Sequence, residues 1–271
     1  MIKILCPTDF SDHAKRALIY AVDLANLLEA EIHLITAYKV PSATGSIISI
    51  SRTIEENRIL ELKDLVAEVK SMIKTGKDPI IVAAKGVAPA VISNYVSHHE
   101  IDLVVMGTQG DGSVKNILLG SVTRKVAKKL HVPLLAVPAG ADFSDLLGKQ
   151  LILALDSKQV EEVEVFRMPM LLAEKLPAKI DVLHVAKNKD DLPVDPFALK
   201  HIEKYTGELI LKESFFPLVE INNHLSENAV GMLIMIRRER SFIENLFLKG
   251  FTEEELGLTS TPLMVLPEHL S

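Results

Sequence analysis

Apolar residues along the chain fall into two recurring patterns. Short runs with little internal alternation occupy residues 2–6, 31–37, 79–84, 103–106 and 134–137, as expected of strands buried on both faces. Between the first two runs, Ala14, Leu18, Ala21, Val22 and Ala25 recur at spacings of three and four. That spacing predicts an amphipathic helix, with Ser11 and Asp12 as candidate N-caps. Leu60, Leu62, Leu65, Val69 and Met72 mark a second helix, closed by Gly76 as its C′ residue. Residues 87–98 and 120–130 read as a third and a fourth. Strands without alternation, joined by helices, predict a parallel sheet covered on both sides.

The pattern then repeats. "SVKNILLGSVTRKVAKKLHVPLLAVP" (113–138) lies over "FIENLFLKGFTEEELGLTSTPLMVLP" (242–267) without a gap, bringing Asn116 onto Asn245, Leu119 onto Leu248, Thr123 onto Thr252, Pro133 onto Pro262 and Pro138 onto Pro267. Upstream, "ILCPTD" falls on "LILALD", so that Asp9 meets Asp156, and "AEIHLITAYK" falls on "AKIDVLHVAK". Such self-similarity predicts tandem copies, 1–142 and 148–271, joined near 139–148. The second copy is the shorter one, mainly between its second and third strands. The fifth runs, "PLLAVP" and "PLMVLP", would leave open sheet edges, so they are expected to pair with each other across a pseudo-twofold. Whether two whole chains also form a homodimer is left open by the pattern.

A length of 271 residues is ample for two such units. Hydrophobic content of 48% with 24% charged residues is a soluble globular profile, and the net charge of −6 sets the bulk field against nucleic acid. The one cysteine, Cys6, can form no intrachain disulfide. No apolar run approaches the roughly 18 residues of a membrane span, and "MIKILCPTDF" does not read as a secretory signal. The chain is expected to be cytoplasmic, without nucleic acid or membrane as a partner.

Chemistry concentrates in "GTQGDGSVKNILLGSV", residues 107–122. Gly107 ends the fourth strand and Gly110 follows in the loop, where absent Cβ atoms let backbone N–H groups approach an anion and tolerate positive φ. Gly120 and Ser121 open the next helix, whose free N–H groups and dipole favour a phosphate. Ser121 and Thr123 add candidate hydroxyl donors. In an open parallel sheet this place, beyond the strands' carboxyl ends, is where ligands sit. Neither a Walker A GxxxxGK[ST] nor a Rossmann GxGxxG spacing is present. Read singly, Gly110, Asp111 and Gly112 make a surface turn, Gly120 a packing glycine and Asp9 a helix cap.

Gly107, Gly110, Gly120 and Ser121 satisfy the pattern G-x2-G-x9-G-[S/T], and Pro7, Thr8, Asp9 and Ser11 satisfy P-T-D-x-S. On these residues the chain resembles the universal stress proteins, and through its repeat a tandem member. The resemblance implies an α/β, adenine-nucleotide α-hydrolase-like fold: two open five-stranded parallel sheets of order 3-2-1-4-5, paired through their fifth strands. It implies ATP or another adenine nucleotide as ligand, with Mg2+ or Mn2+ as accompanying cation. Pro7, Thr8 and Asp9 would line the adenosine, Ala37 would offer backbone groups to adenine, and Met106 and Gly107 would flank the ribose. Gln109 and Gly110 would lead to the phosphates, which Gly120, Ser121, Val122 and Thr123 would hold. Gln109 is neutral where members often carry Arg or His.

Projected onto the second copy, the glycine pattern becomes Ile236, Glu239, Lys249 and Gly250, and Thr8 becomes Leu155. A branched side chain and an acid predict a degenerate site, with Asp156 kept as a turn residue. The run "RRER" (Arg237, Arg238, Arg240) is expected to face water, as short charge runs do. His98 and His99 suit a helix C-terminus rather than a metal site. Met232, Met235 and Met264 read as core, while Asp190, Asp191 and residues 253–255 read as surface acid. No catalytic residue and no protein metal site is read from the chain. The expected function is a stress-response nucleotide sensor or regulatory module. A slow ATPase or phosphotransferase with Ser121 or Thr123 as acceptor, and an interaction module with incidental nucleotide, stand as alternatives.

Overall fold

The computed structural model describes residues 1–40, 47–108, 119–188, 194–238 and 261–270. The N-terminal half runs β1 (Lys3–Pro7), α1 (Asp12–Leu28), β2 (Glu31–Tyr38), α2 (Ile47–Val69), β3 (Ile80–Lys85), α3 (Ala88–His99), β4 (Leu103–Gly107), α4 (Ser121–Ala127) and β5 (Leu134–Val137). The C-terminal half runs β6 (Gln150–Leu155), α5 (Arg167–Lys175), β7 (Ile180–Ala186), α6 (Pro196–Ile202), β8 (Thr206–Glu213), α7 (Pro217–Glu227), β9 (Val230–Ile236) and β10 (Leu263–Leu266). All ten strands join one sheet of order β3-β2-β1-β4-β5-β10-β9-β6-β7-β8, so each half has the order 3-2-1-4-5.

Every described strand pair is parallel except β5 with β10. At that seam Leu135 faces Met264, and these two residues hold the same position in the sequence repeat. The seam is therefore self-complementary about a pseudo-twofold axis.

Near-continuous apolar strands follow from burial on both faces. Ile4 and Cys6 of β1 point into a core shared with α1, α2, α5 and α6, and Leu5 points into a second core beneath α3, α4 and α7. Both cores run across the seam, and Met232, Met235 and Met264 lie inside them. Burial pushes the Cys6 thiol up to about 12.

Ser11 is the N-cap of α1, accepting from Ala14 N. Three expectations shift. The helix after the glycine loop covers Ser121–Ala127 and not 120–130. The second helix ends at Val69 in a 3-10 turn over Lys70–Met72, so Gly76 caps no helix; its φ of 72° serves the turn before β3. Arg237 and Arg238 are not solvated: Arg238 is 3% exposed, and the Arg237 guanidinium donates to Ala127 O. Asp190, Asp191, Arg240 and residues 253–255 lie outside the described residues.

Candidate functional site

Beyond the carboxyl ends of β1 and β4, where the sheet order reverses, lies a crevice of about 720 Å3, its open mouth included. Pro7, Thr8, Asp9, Ala37, Met106, Gly107, Gly120, Ser121, Val122 and Thr123 all line it. Gln109 and Gly110 lie outside the described residues. Ala14, Ile35, Ala88, Val91 and Ile92 also line it; the sequence offered no signal for these beyond their helical and strand periodicity, which reads as core.

The turn after β1 is built by its own side chains. Thr8 N donates to Ile35 O at 2.8 Å, and Thr8 Oγ1 accepts from Phe10 N at 3.0 Å. Asp9 Oδ1 accepts from Ser11 N at 3.1 Å and from Ser11 Oγ at 2.6 Å. Phe10 adopts a φ of 67°, a left-handed conformation costing a non-glycine residue roughly 1–2 kcal/mol. The turn bonds hold it there, and the result exposes the Asp9 carboxylate at the rim.

On the opposite wall, Gly120 N donates to Thr108 O at 2.5 Å, so the chain leaves β4 and returns to α4 at one point. Thr123 Oγ1 donates to Gly107 O at 3.0 Å, fastening the first turn of α4 to the end of β4. That bond takes the Thr123 hydroxyl hydrogen out of the set facing the crevice. Ser121, exposed at the first helical position, keeps its hydroxyl outward. Main-chain N–H groups of Ser121, Val122 and Thr123 have no acceptor within the helix. Gly107 closes β4 in extended conformation and Gly120 has a φ of −55°, so neither is glycine for the sake of positive φ.

The crevice is polar at its ends and apolar between. Asp9 is its one acid, and no lysine or arginine stands among its described lining residues. Among the described residues no group of three His, Cys, Asp or Glu could hold a metal. His98 Nδ1 and His99 Nδ1 instead bond the carbonyls of Asn94 and Tyr95, at 2.6 and 3.0 Å.

In the C-terminal half the equivalent strand end carries larger, buried side chains. Ile236 ends β9 opposite Leu266, as Gly107 ends β4 opposite Val137, and Ile236 is 4% exposed. Arg238, whose repeat partner is Gln109, turns inward: its Nη1 lies 3.1 Å from Asp156 Oδ1 and donates to Lys158 O and Gln159 O. Burial lowers the pKa of the neighbouring Arg237 guanidinium. A cation of the protein thus sits against the carboxylate that holds Asp9's place in the repeat. Glu239, Lys249 and Gly250 lie outside the described residues.

Sheet order and crevice together define an α/β protein of the adenine-nucleotide α-hydrolase-like class, with its pocket at the topological switch point. A family model, "Universal stress protein family", matches residues 1–138. The chain belongs to the universal stress protein family. It is 33% identical over 141 residues to the universal stress protein MJ0531 of Methanocaldococcus jannaschii, covering 50% of this chain and 81% of that one. Identity to MJ0577 of the same organism is 29% over 154 residues, covering 50% and 93%. The crystal structure of a universal stress protein from Archaeoglobus fulgidus matches the fold along 98% of both chains, with a TM-score of 0.74 at 18% identity. The two Methanocaldococcus jannaschii relatives each align with half of this chain.

Proposed function

We propose that the N-terminal crevice binds one adenine nucleotide per chain and that the protein acts as a stress-response sensor or regulatory module. The observation that carries this reading is an asymmetry within the pocket. An exposed carboxylate, Asp9, stands at one end of an apolar floor, and helix-start amides that have no acceptor within α4 stand at the other. A carboxylate accepts hydrogen bonds from ribose hydroxyls or the adenine amino group and repels phosphate. Adenosine therefore lies toward Pro7, Asp9 and Ala37, and the phosphates toward Gly120–Thr123, where backbone N–H groups and the Ser121 hydroxyl receive them.

Asp9 is the one carboxylate among the described lining residues, and its Oδ1 already accepts two bonds from Ser11. A divalent cation accompanying ATP would be carried by the phosphates, not by a protein cage. The chain's organisation as two tandem domains, 1–142 and 148–271, is part of the proposal. The first keeps the pocket, and the second contributes its fifth strand to the seam and no equivalent space. Intramolecular pairing of the two then takes the place that a second chain would fill for a single-copy relative.

Calorimetric titration of the full chain with ATP, ADP and AMP tests the reading. Saturable heat with about one site per chain is expected for at least one of them, and its loss in Gly120→Val, where a branched side chain enters the crevice. A folded wild-type protein giving no heat with any of the three would overturn it. Heat retained unchanged in Gly120→Val would place the ligand elsewhere.

A further inference from the structure

The two outer strands of the sheet occupy equivalent places, yet among the described residues only one is covered by a long helix. In the first half the 23-residue α2 packs over β3, where Ile81 and Ala83 face the shared core. In register, Leu34 pairs with Ile81 and Thr36 with Ala83. The corresponding pairs in the second half are Val182 with Leu209 and His184 with Leu211. Leu209 and Leu211 therefore stand on the face that α2 covers in the other half. Here the helix is α6, only 7 residues long, and Leu209 and Leu211 remain 47% and 64% exposed. An outer strand with free backbone groups and exposed leucines is a template for pairing.

The sequence of that strand identifies the occupant. Glu208-Leu209-Ile210-Leu211-Lys212 reads symmetrically about Ile210, with opposite charges at its two ends. Laid antiparallel on a second copy with Ile210 opposite Ile210, Leu209 meets Leu211 and Glu208 meets Lys212, twice over. Glu208 and Lys212 are both exposed, and neither is ion-paired among the described residues. Lys212 alternates onto the face of Ile210, opposite the leucines, and Glu208 stands at the strand's irregularity, so the twofold arrangement sets opposite charges at both ends of the paired segment with apolar surface between them. The strand's irregularity, where Glu208 N donates to the Asp181 carboxylate at 2.7 Å, lies before Leu209 and leaves the register from Leu209 onward regular.

We infer that the chain forms a homodimer through antiparallel pairing of β8 with β8 of a second copy, extending the sheet across a true twofold axis. Analytical ultracentrifugation of the full chain over a concentration series tests this with a charge swap. Wild type should sediment at twice the 29.9 kDa chain mass. Glu208→Lys and Lys212→Glu each place like charges opposite one another and should sediment at one chain mass. The double variant restores opposite charges and should return to twice that mass. Circular dichroism confirms that each variant is folded; all these side chains are exposed. Wild type at one chain mass throughout would overturn the inference. So would single variants that keep the dimer mass, or a double variant that does not regain it.

Discussion

Asp9 and Asp156 hold the same position in the sequence repeat, and their neighbours divide their roles. Asp9 is exposed at the crevice rim, and its Oδ1 accepts from Ser11 N and Ser11 Oγ within its own turn. Asp156 lies 3.1 Å from a guanidinium whose side chain is 2% exposed. Removing a partner from a buried charge costs more than removing an exposed turn acceptor. Asp156→Ala should lower unfolding free energy by about 2 kcal/mol, in the range of hydrogen bonds to charged groups, with nucleotide heat unchanged. Asp9→Ala should cost under about 1 kcal/mol and weaken nucleotide binding. Urea unfolding and calorimetry on both variants check this pair. Equal stability losses, or a binding loss that follows Asp156, would contradict it.

Among the elements, α7 carries a titratable group whose environment predicts a pH response. His224 is half-buried, its Nε2 has no hydrogen-bond partner among the described residues, and Asn228 Nδ2 lies 3.3 Å from its Nδ1. Desolvation first, then Lys212 on β8, lowers its pKa below 6.5, against the opposing pull of Asp181 and Glu227. Above pH 6.5 both folded and unfolded rings are neutral. As pH falls below 6.5 the unfolded ring takes a proton that the folded one resists, so stability falls between 6.5 and the lower folded value. Urea midpoints at pH about 7.5 and about 5.5 should differ more for wild type than for His224→Gln. Equal differences would contradict the assignment.

The elements themselves were largely legible in the sequence. Strand cores and helix faces followed from periodicity, since two-sided burial requires uninterrupted apolar strands. Less legible was whatever depended on contacts distant in the chain. Arg238 sits in a charged run that local patterning assigns to water, and only the fold brings Asp156 and the carbonyls of Lys158 and Gln159 to it. Likewise Thr123 reads as a phosphate donor until Gly107 O is found 3.0 Å from its hydroxyl. The crevice's apolar floor was hidden for the opposite reason. Val91 and Ile92 have the spacing of core residues, and a ligand-facing apolar side chain leaves the same trace.

At the scale of the whole molecule, one ten-stranded sheet with a single antiparallel seam unites two unequal copies. The crevice beyond β1 and β4 belongs to the first half, and in the second half Ile236 and Arg238 are buried at the equivalent strand end. Met106 marks that space: it lines the crevice and is 7% exposed. Met232, Met235 and Met264 are fully buried in the second half and line no described pocket. Carbon-13 methyl NMR of methionine-labelled protein, titrated with ATP, therefore reads the central claim directly. The account predicts that the Met106 methyl signal shifts and saturates at one equivalent while those of Met232, Met235 and Met264 stay in place. An unmoved Met106 signal beside shifting Met235 or Met264 signals, or no shift at all with saturating ATP, would contradict it.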